Sequence, residues 1–370
     1  MRFTTAALVG ILATVMPAPG VAQDATRSPS PTASPSPTPA ETPPLSRRQL
    51  VDGLSDEDVA RALEVLRKSF LDPTVVDEAS LRRAGLEGLL LRLAPGTALL
   101  DARSETGNPA EYPFLAEILD SHIGYVRPGS ITPASLAQFD ATLADFPTKG
   151  VNALILDLRG ISSAPDFDTA AGFARRLCPK GKLLFTLQKP SAKQERMFTS
   201  DQVPSFSGLI VVISDNRTSA GAEALAATLR ANVGALLVGS DSSGAAVEFE
   251  DVPLGNGAVL RIATSQVLLP GTGALFPAGV KPDIAVATDE DVLDQIFQQS
   301  SEKGVSQFVF ETERKRLNEA ALVANSNPEL DGAQTAQRER TRAATLRDTA
   351  LQRAVDLVTA IQFYSKKRPD

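Results

Sequence analysis

Apolar and polar positions change period along this chain, and each period predicts a different element. Val59, Leu63, Leu66 and Phe70 recur at helical spacing behind a Ser55–Asp58 capping pair, and Asp72–Pro73 closes that helix. A second helix is predicted over about Ser80–Leu93, stopping at Pro95–Gly96. The apolar faces of both helices are read as core. From about Tyr112 the pattern shortens to β-type runs: Ile123–Val126, Ala153–Leu158, Leu183–Leu187, Leu209–Ile213, Ala235–Val238 and Val259–Ala263. Helical patterns lie between them at Asp168–Leu177 and Ala220–Asn232, and this alternation predicts an α/β core. Near the C-terminus, Leu351, Ala354, Val355 and Val358 fall at i, i+3, i+4, i+7 in a charged stretch from Gln337. This reads as a helix packed within the chain, its charges forming a solvated face.

The N-terminal residues have a different character. Arg2, an apolar run over Ala6–Met16 and the small-x-small end Gly20–Val21–Ala22 predict a signal peptide over 1–22, and hence an exported protein of the periplasm or extracellular space. The run is too short to span a membrane, and no other stretch approaches about 18 apolar residues. Pro, Ser and Thr dominate residues 23–46, which read as a disordered linker. The expected organisation continues with a helical module over 47–98, a core over 112–297 and a C-terminal helical extension over 300–370.

Composition narrows the chemistry. The net charge of −7 becomes −8 once residues 1–22, with Arg2, are removed, and no basic patch with interleaved aromatics argues for nucleic acid. Cys178 is the only cysteine, which excludes an internal disulfide and a multi-Cys metal site; it is read as a small hydrophobe. Glycine-rich phosphate loops and His-based metal motifs are absent, so no cofactor and no metal are expected. Asp241 and Glu248–Glu250–Asp251 read as a solvated loop.

One segment, Gly208–Asn232, is a strand–turn–helix in which the first helical residues form a seat for a nucleophile, because backbone N–H groups and the helix dipole face it. Ala220 sits there without a reactive atom, and Ser219 is displaced by about 100° around the helix. A base must also be found. His122 is the only histidine, and between Lys193 and Lys281 there is no lysine.

In order and spacing, these segments resemble the C-terminal processing (tail-specific) serine peptidases. IGYVR at Ile123–Arg127 is similar to that family's entry strand. LILDLRG at Leu154–Gly160 is similar to its LDLRxNPGG strand and loop, and NRTSAGAEAL at Asn216–Leu225 to its N-x-x-S-A-S-A-S-E helix start. GSDSSGAAVEF at Gly239–Phe249 is similar to its G-x-x-T-x-G-K-G-x-x-Q stretch, and PAGVKPDIAV at Pro277–Val286 to its closing P-x-G-I-x-P-D. The resemblance implies an α/β fold with a ClpP/crotonase-like core. It places the family's nucleophilic serine on Ala220, its general-base lysine on Ala245 and its lysine-orienting glutamine on Phe249. Its oxyanion loop falls on Ser163 and Ala164, with Gly221 beside the seat. Glu223 and Gly244 keep the family's residues. Only about 20 residues, Leu99–Ile118, stand where many members insert a PDZ domain, so that peptide-capturing module is expected to be missing.

Losing either nucleophile or base in a comparable triad costs about 10⁶ in turnover. The expectation is therefore a pseudopeptidase that binds an extended peptide or envelope protein. Two alternatives stay open: an endopeptidase with a relocated catalyst drawn from Ser219, Ser242, Ser243, His122 or Lys281, and a structural subunit of an active paralogue.

Overall fold

A computed structural model describes residues 46–102, 112–162, 166–309 and 346–367. The expected signal peptide and all of the expected linker except Ser46 lie outside the described residues.

The chain divides into two compact units, 1–77 and 78–370. In the first, α1 (Arg47–Asp52) is opened by a capping box in which Gln49 N donates to Ser46 Oγ and Ser46 N to the Gln49 side chain. In α2 (Asp56–Ser69), Asp58 N donates to Ser55 Oγ at 3.1 Å, as the sequence pair predicts. The expected burial of the stripe is not met: Val59, Leu63, Leu66 and Phe70 are all exposed. The helix is set by its cap and its acidic first turn, which do not require a covered face.

The second unit begins with α3 (Glu78–Leu93) and β1 (Thr97–Asp101). The expected module over 47–98 is thus divided, because β1 pairs antiparallel with the long strand β10 (Ala258–Leu269). Residues 102–114 separate β1 from β2 (Leu115–Leu119), an interval far too short for a PDZ domain.

The main sheet has the order β12-β8-β7-β4-β3-β2. It contains β3 (Ile123–Arg127), β4 (Ala153–Asp157), β7 (Leu209–Ser214), β8 (Leu236–Gly239) and β12 (Ile284–Ala285). These five run parallel, and β2 is antiparallel at the edge. Burial on both faces explains the near-continuous apolar runs. In β4, Leu154 and Leu156 face one core cluster while Ala153 and Ile155 face another, as the two-residue period requires. The first face is covered by α4 (Pro133–Asp145), α5 (Phe167–Leu177) and α6 (Ala220–Val233). The second is covered by α9 (Thr349–Lys367), preceded by α7 (Glu290–Lys303) and the short α8 (Ser306–Val309).

The other sheet joins β1, β10, β5 (Leu183–Lys189) and β6 (Gln194–Thr199), with β9 (Val247–Pro253) and β11 (Gly273–Ala274) also on β10. The solvated loop expected around Glu248–Asp251 is in fact β9. Its charges find cross-strand partners, Asp251 with Arg261 at 2.7 Å and Glu248 with Arg196 at 3.9 Å, which offsets its weak apolar pattern. The α/β expectation holds, and the C-terminal helix buries the predicted Leu351, Ala354, Val355 and Val358.

Candidate functional site

The site lies at the carboxyl ends of β4 and β7. Asp215 follows β7 and is buried, and its carboxylate organises the turn that comes next. It accepts from Thr218 N (2.8 Å), Arg217 N (3.2 Å) and, across to the strand neighbour, Gly160 N (3.1 Å). Thr218 Oγ1 accepts from Asp215 N (3.0 Å) and lies 3.0 Å from Leu158 O and 2.9 Å from Asp215 Oδ1, one of which takes its proton. Thus one carboxylate fixes both the approach to α6 and the loop after β4. Sequence reading missed Asp215; the available signal was an Asp at a strand end, a residue suited to capping its own turn.

Ser219 is extended (φ −139°), donates its N–H to Ile161 O at 3.0 Å and holds its Oγ 3.4 Å from the same carbonyl. Ala220 then turns into the left-handed region at φ +48° and is buried. A non-glycine residue there costs about 1–2 kcal/mol and persists only where its surroundings over-determine it. They do so here: on one side the Ser219 N–H is tied to Ile161 O, and on the other Ala222 N closes onto Ser219 O at 3.0 Å. The seat is therefore sharply shaped, yet a methyl group fills it.

Glu223 is fully buried in α6 and reaches the loop after β8. Its carboxylate accepts from Ser242 Oγ (2.6 Å), Gly244 N (2.6 Å) and Ala245 N (2.7 Å). Burial pushes its pKa up, opposed by these bonds and by the Ala220 N–H. Gly244 has φ +72°, and a Cβ there would sit 2.1 Å from Pro277 O, so the loop admits only glycine. Ala245 is half-buried in the position the resemblance assigns to the base, and Phe249 is half-buried on β9 opposite Ala263.

The alternative catalytic candidates do not converge. His122 precedes β3, where Asn152 N donates to its carbonyl, at the amino ends of β3 and β4. A five-residue strand puts roughly 16 Å between that end and the end where Ala220 lies. The Lys281 side chain is exposed, and only its carbonyl is engaged, by Arg230 Nη1 at 2.8 Å. Ser242 Oγ donates to Glu223 and accepts from Val280 N at 2.7 Å; it is buried and held in place by these two bonds, with no lysine or histidine on it. Ser243 is exposed, 3.4 Å from Glu223 Oε2. A carboxylate already bonded to a hydroxyl and two N–H groups is a poor base for it. Gly221 packs against α5, where an added Cβ would lie 3.3 Å from Ala170 Cβ. Ser163 and Ala164 lie outside the described residues.

Beneath the site runs a buried ionic network that sequence reading also missed. Arg159 forks onto Asp157 (Nε–Oδ1 2.9 Å, Nη2–Oδ2 2.6 Å) and onto Asp348 (Nη1–Oδ1 2.9 Å, Nη2–Oδ2 2.6 Å). Tyr125 donates to Asp157 Oδ2 at 2.9 Å, and burial followed by the Asp157 charge raises its pKa well above the ordinary value. Arg127, also buried, stacks 4.2 Å from the Phe297 ring centre and donates to Ser300 Oγ.

Residues 122–286 match the family model described as Peptidase family S41. A carboxyl-terminal-processing protease of Synechocystis sp. is 23% identical over 248 residues, which are 63% of this chain and 55% of that protein. A carboxy-terminal-processing protease of Bartonella bacilliformis is 24% identical over 177 residues, 45% of this chain and 39% of that one. Among solved structures, a photosystem II D1 C-terminal processing protease shares 19% identity at a TM-score of 0.40, over 57% of this chain and 53% of that chain. The chain spans about half or less of the length of the curated relatives it matches. The resemblance to C-terminal processing peptidases expected from the motifs therefore holds.

Proposed function

We propose that this S41-peptidase-like chain is an exported pseudopeptidase that binds an extended peptide or an envelope protein and does not cut it. The observation that carries this reading is Ala220: a left-handed, buried, hydrogen-bond-fixed turn at the head of α6 with a methyl group where an attacking oxygen would stand. The position assigned to the base is also a methyl, Ala245, and neither Ser242 nor Ser243 is bonded to a lysine or histidine. With neither atom present, an oxyanion site alone leaves only a small residue of catalysis.

Binding survives because the framework does. Asp215 still joins Gly160 to the α6 turn, and Glu223 still holds the Ser242–Ala245 loop. β9 begins two residues after Ala245 and, among the described residues, pairs only with β10. Its other edge can accept a peptide backbone by strand addition.

The test is direct. The purified chain should release nothing from labelled casein and take no fluorophosphonate label, while unstructured peptides raise fluorescence anisotropy saturably. Casein cleavage that a serine-directed inhibitor stops would overturn the reading in favour of a relocated catalyst.

A further inference from the structure

Asp348 reaches the strand ends from a distant part of the sequence. It stands just before α9, and its Oδ1 accepts from Leu351 N at 2.9 Å while its carbonyl accepts from Gln352 N at 2.8 Å. The same carboxylate grips Arg159 by a two-point fork and is buried. Arg159 is the residue before Gly160, so one side chain connects the C-terminal helix to the strip Leu158–Ser162.

That strip is bonded to the turn before the seat at three points. Leu158 O lies 3.0 Å from Thr218 Oγ1, Gly160 N donates to Asp215, and Ile161 O accepts from Ser219 N. Each of these partners lies within the five residues before Ala220. The buried charges also count. Around Asp157 and Tyr125 stand Arg127 and Arg159, two cations against one carboxylate until Asp348 supplies the second. Leaving a buried cation unmatched is costly, so the strip adopts its position most favourably with Asp348 in place.

We propose that Asp348, acting through the Arg159 fork, is the positioning residue for the Leu158–Ser162 strip, so that the strip and the turn it holds before Ala220 are ordered only when the C-terminal helix is docked. The proposal rests on the peptide-binding reading for its consequence. It does not rest on that reading for its physical content, which is the order of the strip.

Asp348→Asn isolates the effect, because asparagine keeps the helix cap and removes the charge from the fork. Val358→Ala is the comparison: it trims a fully buried side chain of the same helix that takes no part in the network. Amide exchange of the full chain is followed at Leu158–Ile161 and Ser219, with thermal midpoints measured beside it. At matched loss of midpoint, Asp348→Asn should speed exchange in the strip by about tenfold while Val358→Ala leaves it unchanged, since exchange reports local opening. Asp348→Glu should restore part of the protection. Should Asp348→Asn fail to fold, Asp348→Glu carries the same comparison. Equal strip exchange in the Asp348 and Val358 variants overturns the proposal. Peptide anisotropy is read separately: wild-type chain that binds no peptide defeats the peptide-binding reading, and the exchange result still decides the role of Asp348.

Discussion

The Gly244 N–H points at the Glu223 carboxylate across 2.6 Å, between a helix and a loop brought together from 21 positions apart. The carboxylate is buried and gathers two further close donors, Ser242 Oγ and Ala245 N. It ties α6 to the loop that carries Ala245, so removing it has a cost in folding stability.

Glu223→Ala should therefore be among the most damaging single changes in the core. Three close donors lose their acceptor, each buried orphan costing about 1–3 kcal/mol before relaxation, so a net loss on the order of 3–5 kcal/mol is expected in urea unfolding. A loss below about 1 kcal/mol would show that water replaces the carboxylate.

The pH dependence has a definite sign. Burial raises the Glu223 pKa from the ordinary 4.5, so the folded state binds this proton more tightly than the unfolded state does. Its contribution to stability is then fully present below 4.5 and is lost as pH rises through the higher folded value. Relative to Glu223→Gln, which cannot titrate, the wild-type chain should lose stability across that window. Parallel stability–pH curves for the two proteins would contradict the assignment.

Ala220→Gly should cost little. Glycine forfeits about 0.4–1 kcal/mol through the unfolded chain, but it relieves a left-handed turn worth about 1–2 kcal/mol. Ala226→Gly, in the buried middle of the same helix, has no strain to relieve and should be clearly destabilising. Similar chemical-denaturation midpoints for the two variants would mean that the turn at Ala220 is unstrained.

Restoring Ala220→Ser with Ala245→Lys should yield little turnover on labelled casein. Phe249 still stands where the resemblance places the residue that orients the lysine, and a lysine held loosely at a half-buried position keeps its proton. Burst release of product by the double variant would show that orientation counts for less than argued.

Cys178 should be inert in the folded chain. It is fully buried at the end of α5, and burial pushes its thiol up to about 12. One thiol equivalent should react with a disulfide reagent only after unfolding, and rapid labelling of native protein would show that α5 opens locally.

Much of the architecture was legible before folding because burial on both faces of a parallel sheet leaves uninterrupted apolar runs. Ala153–Leu158 and Leu209–Ile213 appear within a residue of β4 and β7. β9 was illegible: its backbone ladder to β10 holds it, and the charges it shows to solvent, such as Asp251 paired with Arg261, make it look like a polar loop. The α2 stripe misled in the other direction, since helical spacing of apolar residues gives no assurance that anything covers them.

By itself, the order of residues determined that an α/β core exists, that α6 starts at Ala220, and that neither Ala220 nor Ala245 carries a reactive atom; these follow from local periodicity and side-chain chemistry. The tertiary structure alone decided that Ala220 is held left-handed, that Ser242 spends its hydroxyl on Glu223, that His122 lies at the far end of the sheet, and that Asp348 closes on Arg159. The physical reason is range. Periodicity acts over a few residues, whereas a buried charge or an orphaned donor is satisfied by whatever the fold brings within about 3 Å, however distant in sequence.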